Sequence, residues 1–156
     1  MFHRSDQPIT ASRIRAYAME LLARREYGAR ELQQKLAGKF EQSSLVPQVI
    51  EELQADNLQS DQRFADSFVR SRINRGHGPQ RIRREINQRG IAAELVQDAF
   101  ELCQPDWFEL ARELRVRRFP IIGDDQKLRA RVQRFLSYRG YDYEQIRYAL
   151  EEPARG

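Results

Sequence analysis

The chain is nearly without the residues that carry redox, disulfide and metal chemistry. Its 156 residues include one cysteine, Cys103, and two histidines, His3 and His77. A single thiol excludes a disulfide framework and fits a reducing cytoplasm, where the chain is expected to reside. So few soft ligands leave nothing from which to build a zinc site. No apolar run approaches the roughly 20 residues of a membrane span, so an integral membrane protein is not expected. Met1 to Thr10 is short and polar and lacks the apolar stretch of a secretory signal. Catalytic signatures are missing as well. There is no Walker phosphate loop and no Gly-x-Ser-x-Gly elbow, and Cys103 falls on an apolar helical face. His77 sits in a glycine-flanked turn with no evident carboxylate or nucleophile beside it, which suits a turn or a phosphate contact better than catalysis. Asp61, Asp66 and Glu85 match no metal-ligand spacing. The chain is therefore expected to be no enzyme and to need no cofactor. Lysine is scarce too: only Lys35, Lys39 and Lys127 among 27 cationic residues, the rest being arginine.

What the chain does have is internal repetition with a step of 50 residues. Leu32, Ile82 and Val132 are so related, as are Leu36, Ile86 and Leu136, then Val46, Val96 and Ile146, and Val49, Ala99 and Ala149. Gly28 maps onto Gly78, and Gly90 onto Gly140. Agreement at this many apolar positions predicts three units of one supersecondary type. Each unit reads as three short helices. In the second, Ser60 caps a helix carrying Phe64, Ala65, Phe68, Val69 and Ile73 on one face. Pro79 then opens a helix with Ile82 and Ile86 inward, which Gly90 ends in the left-handed conformation. A third helix carries Ile91, Leu95, Val96, Ala99, Phe100 and Cys103 and stops before Pro105. In the third unit the first helix aligns at an offset of 46, and four extra residues within Pro120 to Asp125 restore the step of 50. Asp142 and Gln145 form a capping box before the last helix.

No segment alternates with period two, so the fold class is all-α: three tandem three-helix repeats, helix-turn-helix-like, in an elongated, curved array. The expected organisation is a flexible N-terminus over 1–11, repeats over 12–59, 60–106 and 107–152, and a tail over 153–156. A unit of this size has a marginal core, so neighbouring units are expected to share packing. The joints at Asn57 to Asp61 and Gln104 to Asp106 are short polar turns with freedom to flex.

The net charge is +4, and it is unevenly distributed. Residues 12–59 hold 7 cations and 7 anions, 60–106 hold 8 and 7, and 107–156 hold 11 and 8. Arginine bias can follow from a GC-rich genome, so placement carries more weight than number. Arg81 and Arg131 are 50 apart, as are Arg84 and Arg134, and Arg89 and Arg139. The basic pattern thus repeats with the core, and a polyanion lying along the array would meet cations at intervals. The candidate binding residues are Arg70, Arg72, Arg75, Arg81, Arg84, Arg89, Arg117, Arg118, Lys127, Arg129, Arg131, Arg134 and Arg139. Arg81, Arg84, Arg131 and Arg134 flank the buried stripe and are expected to be exposed, with little part in stability. Of the aromatic residues gathered in the last unit most read as core; Tyr148 is the expected exception.

The stretch NLQSDQRFADSFVRSR from Asn57 to Arg72, followed by RGHGPQRIRREINQRGI from Arg75 to Ile91, resembles the RecX family of bacterial regulatory proteins. The matching residues are Asn57, Leu58, Asp61, Phe64, Ala65, Gly78, Pro79, Arg81, Ile82, Glu85, Ile86, Arg89, Gly90 and Ile91. LLARREYGARELQQKL from Leu21 to Leu36 and SYRGYDYEQIRYAL from Ser137 to Leu150 resemble the family's first unit and closing helix. Tyr141, where the family more often has Phe, is a conservative departure; the conformation of Phe119 to Asp125 does not follow from the resemblance. The resemblance implies a monomeric modulator of RecA recombinase that binds the RecA–single-stranded DNA filament and mostly inhibits strand exchange, ATP hydrolysis and co-protease activity, with at most weak duplex binding. The competing expectation is a helix-turn-helix transcriptional regulator that reads duplex DNA.

Overall fold

The computed structural model describes residues 7–151. The expected flexible segment 1–11 overlaps that range only from 7 onward, and the tail 153–156 lies outside it. Among the described residues there are nine α-helices and no strand. Unit one holds α1 (Ala11–Arg24), α2 (Ala29–Lys39) and α3 (Val46–Ala55). Unit two holds α4 (Asp61–Asn74), α5 (Pro79–Gln88) and α6 (Ala93–Cys103), and unit three α7 (Trp107–Arg118), α8 (Gln126–Arg139) and α9 (Tyr143–Leu150). Every helix pair in substantial contact lies within one unit.

Local sequence explains where these helices begin and end. Thr10, Ser60 and Asp106 each accept a bond from the backbone amide three residues on, satisfying a donor that the first turn cannot pair internally. Asp142 and Gln145 form the reciprocal capping box. Inward faces follow the helical period: Leu32 and Leu36 in α2, Ile82 and Ile86 in α5, Val132 and Leu136 in α8. Burial of each such side chain contributes about 1.5–3 kcal/mol.

Each unit closes its own core. Ile14 to Leu53 form one cluster, Phe64 to Phe100 a second and Ala111 to Ala149 a third. The shared apolar packing expected between units is therefore slight. Trp107 alone is counted with two clusters, packing edge-on to Phe100 with ring centres 5.5 Å apart. What joins the units is polar, and the turn at 57–61 is tied to unit one by hydrogen bonds. Gln59 is buried and donates to the Tyr27 carbonyl at 3.0 Å, and Asp61 Oδ1 accepts from the Ala29 amide at 2.8 Å.

That last bond belongs to a pattern. The N-cap of α2 is Gly28 and that of α5 is Gly78, and neither has a side chain to cap with. Each helix takes its cap from the following unit. Asp61 supplies it to α2. For α5, the Gly78 amide donates to the Arg139 carbonyl at 2.7 Å and the Gln80 amide to the Gly140 carbonyl at 3.0 Å. In unit three, α8 is capped by its own Asp125, whose Oδ1 accepts from the Lys127 and Leu128 amides. The four extra residues before α8 thus bring in the cap that a neighbour provides elsewhere.

The two joints differ in tightness. A Cβ on Gly78 would lie 2.5 Å from the Gly140 carbonyl carbon, a backbone atom that cannot swing aside. Gly140 has φ +102°, a conformation that L side chains rarely adopt. The equivalent Gly28 instead faces the end of the Ile91 side chain, and Gly90 faces the Arg30 side chain. Units two and three meet backbone to backbone; units one and two meet through side chains, which leaves a cleft.

The segment 119–125 is pinned by arginines. Arg115 is only 1% exposed, and its Nε donates to the Ala149 carbonyl at 2.8 Å. Its Nη1 reaches the Phe119 and Pro120 carbonyls at 3.3 and 3.4 Å, while Arg129 Nη1 holds the Gly123 carbonyl at 3.0 Å. Ile122 is thereby directed into the third core.

Two stability predictions follow from these contacts. Gly78→Ala costs about 1–3 kcal/mol by overpacking the joint, whereas Gly38→Ala, in a helix and facing open space, raises stability by about 0.4–1 kcal/mol. Arg115→Met leaves carbonyls unpaired and costs about 2–4 kcal/mol, while Arg117→Ala at the exposed end of the same helix changes stability by no more than about 0.5 kcal/mol. Urea denaturation of the four variants checks both.

Candidate functional site

The looser joint opens a hollow of about 520 Å³ between α2 and α5. Arg30, Glu31 and Gln34 line one wall, Arg81, Glu85, Gln88 and Arg89 the other, with Arg72 and His77 at the back. Two carboxylates organise the cations. Glu31 takes Arg25 and Arg89, each at 3.1 Å, so it ties the two units together. Glu85 accepts from Arg81 Nε at 2.8 Å and lies 3.3 Å from Arg72 Nε. Burial would push the Glu85 carboxyl up, but the Arg81 hydrogen bond and the charges of Arg72 and Arg81 outweigh it and hold it below the usual range. Burial lowers the Arg72 guanidinium despite Glu85, and Glu31 raises that of Arg25. His77 is 8% exposed, and its Nδ1 has no hydrogen-bond partner. Burial first, then the charge of Arg81, holds its imidazole below its ordinary value. The cleft is thus a mixed field of donors and acceptors, which suits protein side chains better than a run of phosphates.

The second surface is the outer face of α8. This helix has no aspartate or glutamate along its length. Lys127, Arg131, Arg134 and Tyr138 follow at steps of four, three and four, which places them in one row, and all four are exposed. Gln126, Gln133 and Ser137 form an exposed polar row beside them. None of the three cations in the row pairs with a carboxylate of a described residue. Acidic side chains lie instead on the third helices, as exposed Glu51 and Glu52 in α3 and Glu94, Asp98 and Glu101 in α6. A polyanion would be attracted to α8 and repelled from α3 and α6.

Comparison with known proteins agrees with this architecture. Residues 60–99 match the model for the second three-helix domain of RecX and residues 104–150 that for the third. The chain is 43% identical over 133 residues to the regulatory protein RecX of Chromohalobacter salexigens, covering 85% of this chain and 88% of that one. It is 39% identical over 151 residues to the regulatory protein RecX of Vibrio parahaemolyticus, covering 96% of both. The chain belongs to the RecX family. A crystal structure of RecX from Lactobacillus salivarius, 22% identical, superposes with a TM-score of 0.70 over 90% of this chain and 94% of that one. A second crystal structure of a regulatory protein RecX gives 0.77 over 91% of this chain and 73% of that one. At that identity the likeness shows the fold, which is the all-α array of three-helix units.

Within this RecX fold the thirteen candidate cations do not form one stripe. Arg72, Arg75, Arg81 and Arg89 surround the cleft and the smaller hollow that continues from it. Arg139 reaches the Arg75 carbonyl at 3.0 Å across the second joint. Lys127, Arg131 and Arg134 make the α8 row. Arg129 is spent on the Gly123 and Leu150 carbonyls. Arg117 and Arg118 lie exposed at the end of α7, the latter 5.5 Å from the Phe135 ring centre. Arg70 lines a hollow with Asp106, Glu109 and Glu113, where a phosphate would meet carboxylates. Arg84 lines a separate hollow with Arg83, Asn87, Ile91 and Val96. Arg81 itself is half-buried and ion-paired, so it is not the freely exposed cation that its place in the repeat suggests.

Other residues differ from expectation. Tyr148, expected to be free, donates its hydroxyl to Glu109 at 3.0 Å and lies under Arg112, whose guanidinium carbon is 3.9 Å from the ring centre. The exposed rings are Tyr138 and Tyr143, with Phe108 less so. Arg30, Glu31 and Gln34 escaped notice because unit one is electrically neutral. The signal was present in the repeat, where Glu31 occupies the position of Arg81 and Arg131. Cys103 packs against the second core, and its burial pushes the thiol up.

The depressed His77 sets a pH dependence. Below the ordinary value of 6.5 the unfolded chain takes up a proton that the folded chain refuses. Stability is full above about 6.5 and declines as the pH falls from there toward the lowered native value. His77→Gln removes this slope while keeping the one that Glu85 generates below 4.5. Urea titrations from pH 4 to 8 on parent and variant measure the difference.

Proposed function

We propose that this RecX-family chain is a monomeric, cytoplasmic, non-catalytic modulator of RecA recombinase that binds the RecA–single-stranded DNA filament and mostly inhibits it. The observation that carries the nucleic-acid part is the acid-free exposed face of α8. The mixed-charge cleft at the first joint suits the protein wall of such a filament. Two surfaces of different chemistry on one connected array give avidity, because the second engagement is intramolecular once the first has formed. Holding protomers in one arrangement would slow strand exchange and ATP hydrolysis without any reaction on this chain.

The duplex-reading alternative has less support. In a helix-turn-helix module the last helix enters the major groove. Here α3 and α6 present glutamates and aspartates outward, and the cations sit on the middle helix of the third unit.

The direct test is RecA ATP hydrolysis on single-stranded DNA with the chain added, which is expected to fall as the chain is titrated in. An unchanged rate at saturating chain overturns the proposal. Salt dependence then locates the phosphate contacts. Each contact on single-stranded DNA contributes about 0.7 to the slope of log K against log salt. Arg131→Ala with Arg134→Ala therefore lowers the magnitude of that slope by about 1.4, and Arg70→Ala leaves it unchanged.

A further inference from the structure

The cationic row on α8 ends in an aromatic ring that the fold does not use. Tyr138 is 75% exposed, belongs to no core cluster, and its hydroxyl has no hydrogen-bond partner among the described residues. It lies four residues after Arg134 and seven after Arg131, at the head of the row. Among the described residues its one cation–π contact comes from another unit: the Arg81 guanidinium carbon lies 5.3 Å from the ring centre. Arg81 is itself fixed by Glu85 and by the abutment of its backbone on Gly140, two residues beyond Tyr138. An arginine held in this way steadies the ring and leaves most of it open to solvent.

A surface that only follows phosphates has no need of an aromatic group. An unpaired base offers a π-face of suitable size, whereas a base in a duplex is already stacked on both sides. We infer that Tyr138 is a base-stacking residue, which takes one unpaired nucleobase on its open face while Arg131 and Arg134 hold neighbouring phosphates and Arg81 braces the ring. This inference rests on the filament-binding proposal for its biological setting, but its test does not. It makes the α8 face selective for single strands, with Tyr138 supplying the part of recognition that charge cannot.

The experiment uses the full chain without recombinase and three fluorescently labelled probes of equal length: oligo(dT), an abasic deoxyribose-phosphate oligomer of the same charge, and a duplex. The parent is expected to bind oligo(dT) on the order of tenfold more tightly than the abasic strand, the range that stacking on one aromatic side chain provides. Tyr138→Ala removes that preference and leaves abasic affinity unchanged, and Tyr138→Phe retains it. Because the side chain is exposed, the helical circular dichroism of both variants should match the parent. No preference in the parent, or an equal loss on both strands in Tyr138→Ala, overturns the inference. RecA ATP hydrolysis separates this result from the broader proposal. An oligo(dT) preference abolished by Tyr138→Ala, with hydrolysis unaffected by the parent, sustains stacking and sinks modulation; inhibited hydrolysis with the preference intact in Tyr138→Ala does the reverse.

Discussion

The middle helix of each of the first two units cannot satisfy its own N-terminus, and the unit that follows does it instead. A helix begins with amides that have no internal acceptor. Serine, threonine or aspartate at the N-cap is the usual remedy, and it is used at Thr10, Ser60, Asp106, Asp125 and Asp142. Leu45 and Ala92 give their helices no side-chain cap, and neither do Gly28 and Gly78, but at the two glycines the reason is visible in space. Their lack of a side chain lets the next unit come close enough to place a carboxylate or a carbonyl as acceptor for the first amides. Order along the chain is thereby turned into order in space with little apolar surface shared between units.

The functional surfaces depend on this arrangement. At the second joint the glycine-on-glycine approach brings Arg81 of α5 up to Tyr138 of α8, so that unit two braces unit three's exposed ring. At the first joint the approach runs through the Ile91 and Arg30 side chains, and the extra space becomes the cleft in which Glu31 and Glu85 marshal the arginines. One repeated device, executed tightly once and loosely once, yields a closed joint with a basic face beside it and an open joint with a mixed-charge hollow.

Much of the architecture was legible in the sequence because helical periodicity and capping are local. The step of 50 residues, the inward leucine, isoleucine and valine pairs, Ser60, Pro79 and the Asp142–Gln145 box all have their expected structural roles. The site was only partly legible. Arg81 and Arg84 share a repeat register with Arg131 and Arg134, yet on α5 their side chains line different hollows. Neutralisation of Arg89 by Glu31 spans 58 residues and two units, beyond any local pattern. Arg115 stands in sequence among Arg112, Arg117 and Arg118, but its helix turns it inward to three carbonyls that only the folded 119–125 segment and the end of α9 present. Tyr141 is buried, with its phenol pushed up to about 12. Tyr138, three residues earlier, lies on the outward face of α8, whereas Tyr141 follows the left-handed Gly140 that ends the helix, so the turn separates the two better than residue type does.

Native-state amide hydrogen exchange reaches borrowed capping most directly, because the Ala29 amide of unit one is bonded to the Asp61 carboxylate of unit two. Loss of a cap of this kind costs about 1 kcal/mol, or roughly fivefold in a local opening equilibrium. In Asp61→Ala the Ala29 amide should exchange about five times faster than in the parent, while the Lys127 amide, capped within unit three by Asp125, keeps its rate. Unchanged exchange at Ala29, or an equal acceleration at Lys127, would show that the units do not cap one another and that their register has another origin.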